Sequence, residues 1–128
     1  MSSAVHTEDA PAAIGPYSQA IKVGDVVYTS GQIPVNPATG EVPGDITGQT
    51  EQALANLEAV LKAAGASVAQ IVKMTVFVKD LNDFGTLNAA YAKFFDAREV
   101  ANYPARSCVE VARLPKDVDI ELEAVAYL

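Results

Sequence analysis

The chain is poor in the residues that most enzymes lean on: one cysteine, one histidine, and 9 Lys+Arg against 16 Asp+Glu in 128 residues. One cysteine closes no internal disulfide, and one cysteine with one histidine supplies no conventional zinc set. The same scarcity argues against a Ser/His/Asp triad. A net charge of -7 repels phosphate backbones and anionic membrane surfaces. The cations Lys93, Arg98, Arg106, Arg113 and Lys116 are scattered and form no run, so neither nucleic acid nor membrane is expected as a partner. No apolar run reaches the roughly 18 to 20 residues that span a bilayer. The start "MSSAVHTEDAPAA" lacks a basic n-region and an apolar h-region, which leaves a cytoplasmic protein as the expectation. Glycine-rich phosphate loops of either standard spacing are missing, which argues against nucleotide-dependent chemistry.

What is present is the balance of a soluble globular protein, 50% hydrophobic and 20% charged. The length suits one domain over residues 1–128. "YSQAIKVGDVVYTSG" reads as two strands joined at Gly24-Asp25, and the proline- and glycine-rich residues 33–45 as a loop. Asp45 is a candidate N-cap for a helix with Ala53, Leu57, Val60, Leu61 and Ala64 on one face and Gly65 at its end. "IVKMTVFVKD" alternates as a strand with Val72, Met74, Val76 and Val78 inward. A second helix is expected from about Asn82 or Asp83 to Phe95, with Phe84, Leu87, Tyr91, Phe94 and Phe95 on its inner side. Asn88 sits within or beside that stripe and needs a partner. Strands at 105–112 and 118–128 complete the order β β α β α β β, with Val118, Ile120, Leu122, Ala124 and Ala126 sharing one face of the last. The N-terminal segment carrying His6 reads as flexible.

This pattern describes an α+β domain, a mostly antiparallel sheet with two helices on one face. The uncovered face keeps apolar groups such as Phe77, which a monomer rarely exposes, so a homo-oligomer is expected.

Strand parity puts Arg106, Cys108 and Glu110 on one face and Ala105, Ser107, Val109 and Val111 on the other. Parity leaves two fates open for Arg106. It either pairs with Glu110 or Glu121 on a solvated face, or its guanidinium fork binds a carboxylate ligand. Cys108 has no histidine base to make it a nucleophile and reads as a pocket wall. Glu121 could orient or deprotonate a water, or it could be an exposed carboxylate like Glu123. Tyr17, Ser30 and Asn88 are isolated polar groups beside apolar runs, each with an ordinary structural explanation.

Four stretches take the reading further: "APAAIGPYSQA", "TSGQIPVNPATGEVP", "VKMTVFVKDLNDF" and "PARSCVEVARLPKD". Together they closely resemble the RidA, or YjgF, family of reactive enamine and imine deaminases, from about Glu8 to the last strand. The resemblance implies a chorismate-mutase-like fold assembled as a homotrimer, the sheets forming a central barrel with ligand pockets in the three clefts between subunits. It makes Arg106 the clamp on the substrate carboxylate, with the backbone at Cys108 contributing. Glu121 becomes the carboxylate that holds the hydrolytic water. Tyr17, Ser30 with the Gly31 amide, and Asn88 become pocket positions, all drawn from two adjacent subunits.

The implied reaction hydrolyses 2-aminoacrylate and 2-aminocrotonate, through 2-iminopropanoate and 2-iminobutanoate, to 2-oxoacids and ammonia. It protects pyridoxal-phosphate enzymes and needs neither metal nor organic cofactor. The alternative is a regulatory module that binds 2-oxoacids without turning them over. A third reading, RNA cleavage, has been attributed to some relatives and sits poorly with the acidic charge.

Overall fold

The computed structural model describes residues 1–128 and resolves six strands and two helices. In chain order they are β1 (Ser2–Val5), β2 (Ala20–Val23), β3 (Val26–Thr29), α1 (Ile46–Ala63), β4 (Ile71–Val78), α2 (Phe84–Asp96), β5 (Ala105–Glu110) and β6 (Ile120–Tyr127). The strands form one sheet in the order β1-β2-β3-β6-β4-β5. All neighbours are antiparallel except β4 and β5, whose parallel pairing requires the crossover that α2 provides. The α+β expectation holds, and the order β β α β α β β runs from β2 onward.

The N-terminal segment is a correction. Ser2–Val5 is a strand paired with β2, and Val5 is buried against the core. Its local sequence carries little strand signal because long-range pairing, not propensity, holds it.

Helix α1 begins where Asp45 accepts a hydrogen bond from the Gly48 amide at 2.9 Å, a cap worth about 1 kcal/mol. It ends in a Schellman arrangement: the Ala66 amide donates to Leu61 O and the Gly65 amide to Lys62 O, with Gly65 at φ +84°. Leu54, Leu57, Val60 and Leu61 then lie fully buried against Val27, Met74, Val76 and Leu122 of the sheet.

Two expected core residues lie outside. Val72 is 51% exposed because β4 carries a bulge: Ile71 pairs with Ala126 and Lys73 with Val125. Two β4 residues therefore oppose one, which reverses parity and seats Ile71 inside instead. Phe84, the first residue of α2, is 42% exposed. It has a different neighbour, described below.

The helices cover only one side of the sheet. On the other side register brings together Ile21 with Tyr28, Val23 with Val26, Tyr28 with Val125, and Phe77 with Glu121. Val23, Tyr28, Val109 and Tyr127 there are exposed. An apolar face of this breadth across five strands is the feature a second protein surface normally covers.

Candidate active site

Parity and register place Arg106. It pairs with Met74 across the parallel β4–β5 ladder, and Met74 is fully buried beneath the helices, so Arg106 projects on the helix side of the sheet near its β5 edge. There Arg106 Nη1 donates to Asn88 Oδ1 at 2.8 Å. The guanidinium carbon lies 4.7 Å from the Tyr91 ring centroid and 5.4 Å from that of Phe84, both inside cation–π range. Phe84, Asn88 and Tyr91 are i, i+4 and i+7 on α2, one helical stripe. The stripe read as core packing is instead partly a cradle for a cation.

Arg106 has no acidic partner. The two ion pairs of the chain are Arg98 with Glu58 and Arg113 with Asp117, and Glu110 accepts from the Leu81 amide instead. Of the two fates that parity left open, pairing with Glu110 or Glu121 does not occur. A partly buried guanidinium with one neutral hydrogen bond has most of its fork free for an anion. It borders a cleft of about 280 Å³ lined by Asn88, Tyr91, Ala92, Tyr103, Pro104 and Arg106.

Cys108, next along the same face, packs against the hydrophobic core. Burial pushes its thiol pKa up despite the neighbouring Arg106 charge, so the thiol stays protonated near neutrality and is a poor nucleophile. No three His, Cys, Asp or Glu side chains converge anywhere in the chain.

Glu121 lies elsewhere. It alternates with the buried Ile120 and Leu122, so it projects from the uncovered face, opposite to Arg106. Its immediate neighbour is Gly31, placed there because Gln32 and Leu122 form a two-way backbone bridge, at 2.7 and 3.1 Å. A Cβ built on Gly31 would come within 2.7 Å of the Glu121 carboxylate. Burial raises the Glu121 pKa, and Glu123 two residues away raises it further.

Ser30 ties this region to Tyr17: its amide donates to Gln19 O at 2.9 Å and its hydroxyl to Ser18 O at 2.5 Å. Gln19, buried and overlooked in the sequence, donates to Thr7 O and Pro11 O and accepts from the Thr7 amide. It anchors the loop in which Tyr17 stands 52% exposed. Tyr17, Gly31 and Ile14 line a second cleft, also about 280 Å³.

The candidates thus fall into two groups within one chain. Arg106, Asn88 and Cys108 stand on the helix side, and Tyr17, Ser30, Gly31 and Glu121 gather around the other.

The Gly31 contact carries a prediction. Gly31→Ala should displace the flexible Glu121 carboxylate rather than backbone, so any reaction that uses Glu121 should slow by up to ~100-fold while the thermal melting temperature stays at the wild-type value. Wild-type kinetics in that variant would remove Glu121 from the reaction.

One chain of this α+β fold thus carries an arginine with no acidic partner on one face of its sheet and a carboxylate whose pKa burial raises on the other. The chain belongs to the Endoribonuclease L-PSP family, whose profile matches residues 7–128, the RidA (YjgF) family that its motifs resemble. It is 62% identical over 126 residues to the 2-iminobutanoate/2-iminopropanoate deaminase of Escherichia coli (strain K12), covering 98% of each chain. Among solved structures it is similar to the YjgF gene product of E. coli (60% identity, TM-score 0.95, 98% of each chain). It is similar too to E. coli TdcF with bound serine (55% identity, TM-score 0.95, 98% of each chain).

Proposed function

We propose that this chain is a cytoplasmic hydrolytic deaminase of 2-enamino and 2-imino acids, 2-iminopropanoate and 2-iminobutanoate above all, releasing 2-oxoacids and ammonia and so sparing pyridoxal-phosphate enzymes. The observation that carries the reading is Arg106: a partly buried cation with no acidic partner, held by Asn88 beside an open cleft. Such a group suits a small substrate whose carboxylate is its main handle. The deaminase named among the relatives acts on 2-imino acids, and TdcF holds serine, both carboxylate-bearing.

The chemistry asks for little. Arg106 holds the carboxylate while Glu121 accepts a proton from a water about 3 Å from the imine carbon. Water adds across the C=N bond, the protonated amine leaves as ammonia, and the C=O of the 2-oxoacid forms. Glu121 is suited to this because its raised pKa makes it a stronger base than an ordinary carboxylate.

The two groups face opposite sides of one sheet, so one chain cannot complete the site. A homotrimer in which the uncovered sheet faces meet in a central barrel supplies what is missing. It buries Tyr28, Phe77 and Val109, and it lets the Arg106 group of one subunit meet the Tyr17, Ser30, Gly31 and Glu121 group of the next. Mixing tests this. Arg106→Ala and Glu121→Ala subunits, each inactive alone, should recover about a quarter of wild-type activity when refolded together at equal amounts. One ordered neighbour pair in four is then intact in a cyclic oligomer. No recovery would sink the shared site.

A further inference from the structure

Across the whole chain, one buried side-chain polar atom lacks any hydrogen-bond partner, the Tyr91 hydroxyl. Tyr91 is 6% exposed, on the inner face of α2. A phenol buried without a partner costs free energy that phenylalanine, of nearly the same shape, would not. Packing therefore gives no reason for the oxygen, and its location suggests one.

The Tyr91 ring lies beneath the Arg106 guanidinium, 4.7 Å away, and borders the same cleft. Asn88 turns its carbonyl oxygen to Arg106, which leaves its amide nitrogen directed elsewhere and unengaged. Among the residues that line the cleft, Arg106 thus keeps free N–H groups, Asn88 an unengaged amide nitrogen, and Tyr91 an unpaired hydroxyl buried in the wall. Burial pushes the phenol up to about 12, so it remains a donor throughout the physiological range. A cation beside unpaired donors calls for an anionic acceptor.

We infer that Tyr91 is a further positioning residue of the Arg106 group, its ring supporting the guanidinium and its hydroxyl left unpaired to donate to the anion that Arg106 binds. The inference rests on the deaminase reading for the identity of that anion, the carboxylate of a 2-imino or 2-oxoacid. Phe84, at 5.4 Å from the guanidinium, offers a second ring but no donor.

Tyr91→Phe separates the ligand role from a structural one because the two move stability and affinity differently. The variant should melt at or above the wild-type temperature, bind 2-oxobutanoate about tenfold more weakly by calorimetry, and raise KM for the imine with kcat nearly retained. Tyr91→Leu, which also removes the ring, should weaken binding further. Wild-type affinity in Tyr91→Phe overturns the inference, and so does a lowered melting temperature, which would reveal a structural partner for the hydroxyl. A wild-type protein that binds 2-oxobutanoate without accelerating imine hydrolysis sinks the deaminase reading alone, since the affinity comparison still decides the role of Tyr91. A wild-type protein that binds no 2-oxoacid overturns both.

Discussion

Arg106→Ala is expected to lower kcat/KM for 2-iminobutanoate by about 1.5 to 3.5 orders of magnitude, because removing one member of a desolvated charge pair costs about 2–5 kcal/mol. The loss should appear in binding of 2-oxobutanoate as well as in turnover, since the carboxylate persists from substrate to product. Stability should change little. Arg106 makes one side-chain hydrogen bond, to Asn88, and no ion pair, so the folded state depends on it less than a ligand would. Arg106→Lys sharpens the test. Lysine keeps the charge but loses the fork and the flat contact with the rings of Phe84 and Tyr91, and it should recover only a small part of the loss. The measurement is ammonia release from imines generated in place by an amino-acid oxidase. Turnover that survived Arg106→Ala would remove the anchor from the mechanism.

Much of the fold could be read locally. Asp45, Gly65 and the apolar spacing between them define α1 without reference to anything distant, and the inward set from Val118 to Ala126 marks β6 in the same way. The misreadings share a different cause. Val72 is displaced by a bulge that exists only because β4 must stay in register with β6. Ser2–Val5 is a strand only because β2 offers an edge. Phe84 has the right spacing for the core, but the first turn of α2 lies beyond it, over Arg106.

The candidate site shows the same division. Residue types and the Arg106–Cys108 face were legible from parity, whereas Tyr91 looked like one more core aromatic. Its chemistry depends on the parallel β4–β5 register that sets Arg106 above it. Nor could parity relate Arg106 to Glu121, because the faces of β5 and β6 are compared only through β4 between them.

Glu121→Gln should leave 2-oxobutanoate binding near the wild-type value and reduce imine hydrolysis by about 10²- to 10⁴-fold, the usual contribution of a positioned general base. That outcome separates an enzyme from a module that only holds 2-oxoacids, for which the wild-type protein would bind and never accelerate hydrolysis. The pH dependence adds an independent check, because activity and stability should respond to Glu121 with opposite signs. The folded environment raises its pKa above the ordinary carboxylate value, first through burial and then through Glu123. Acting as the proposed base needs the ionised form, so wild-type turnover should fall as pH drops through that raised pKa. Folding favours the neutral form: the contribution of Glu121 to stability is fully present below its unfolded pKa and is lost as pH rises through the folded one. At pH 7 the glutamine variant should therefore melt no lower than wild type, and the wild-type protein should gain on it as the solution is acidified. A Glu121→Gln protein less stable than wild type at pH 7 would mean that the carboxylate has a partner in the assembled protein, and it could not then be the free base proposed above.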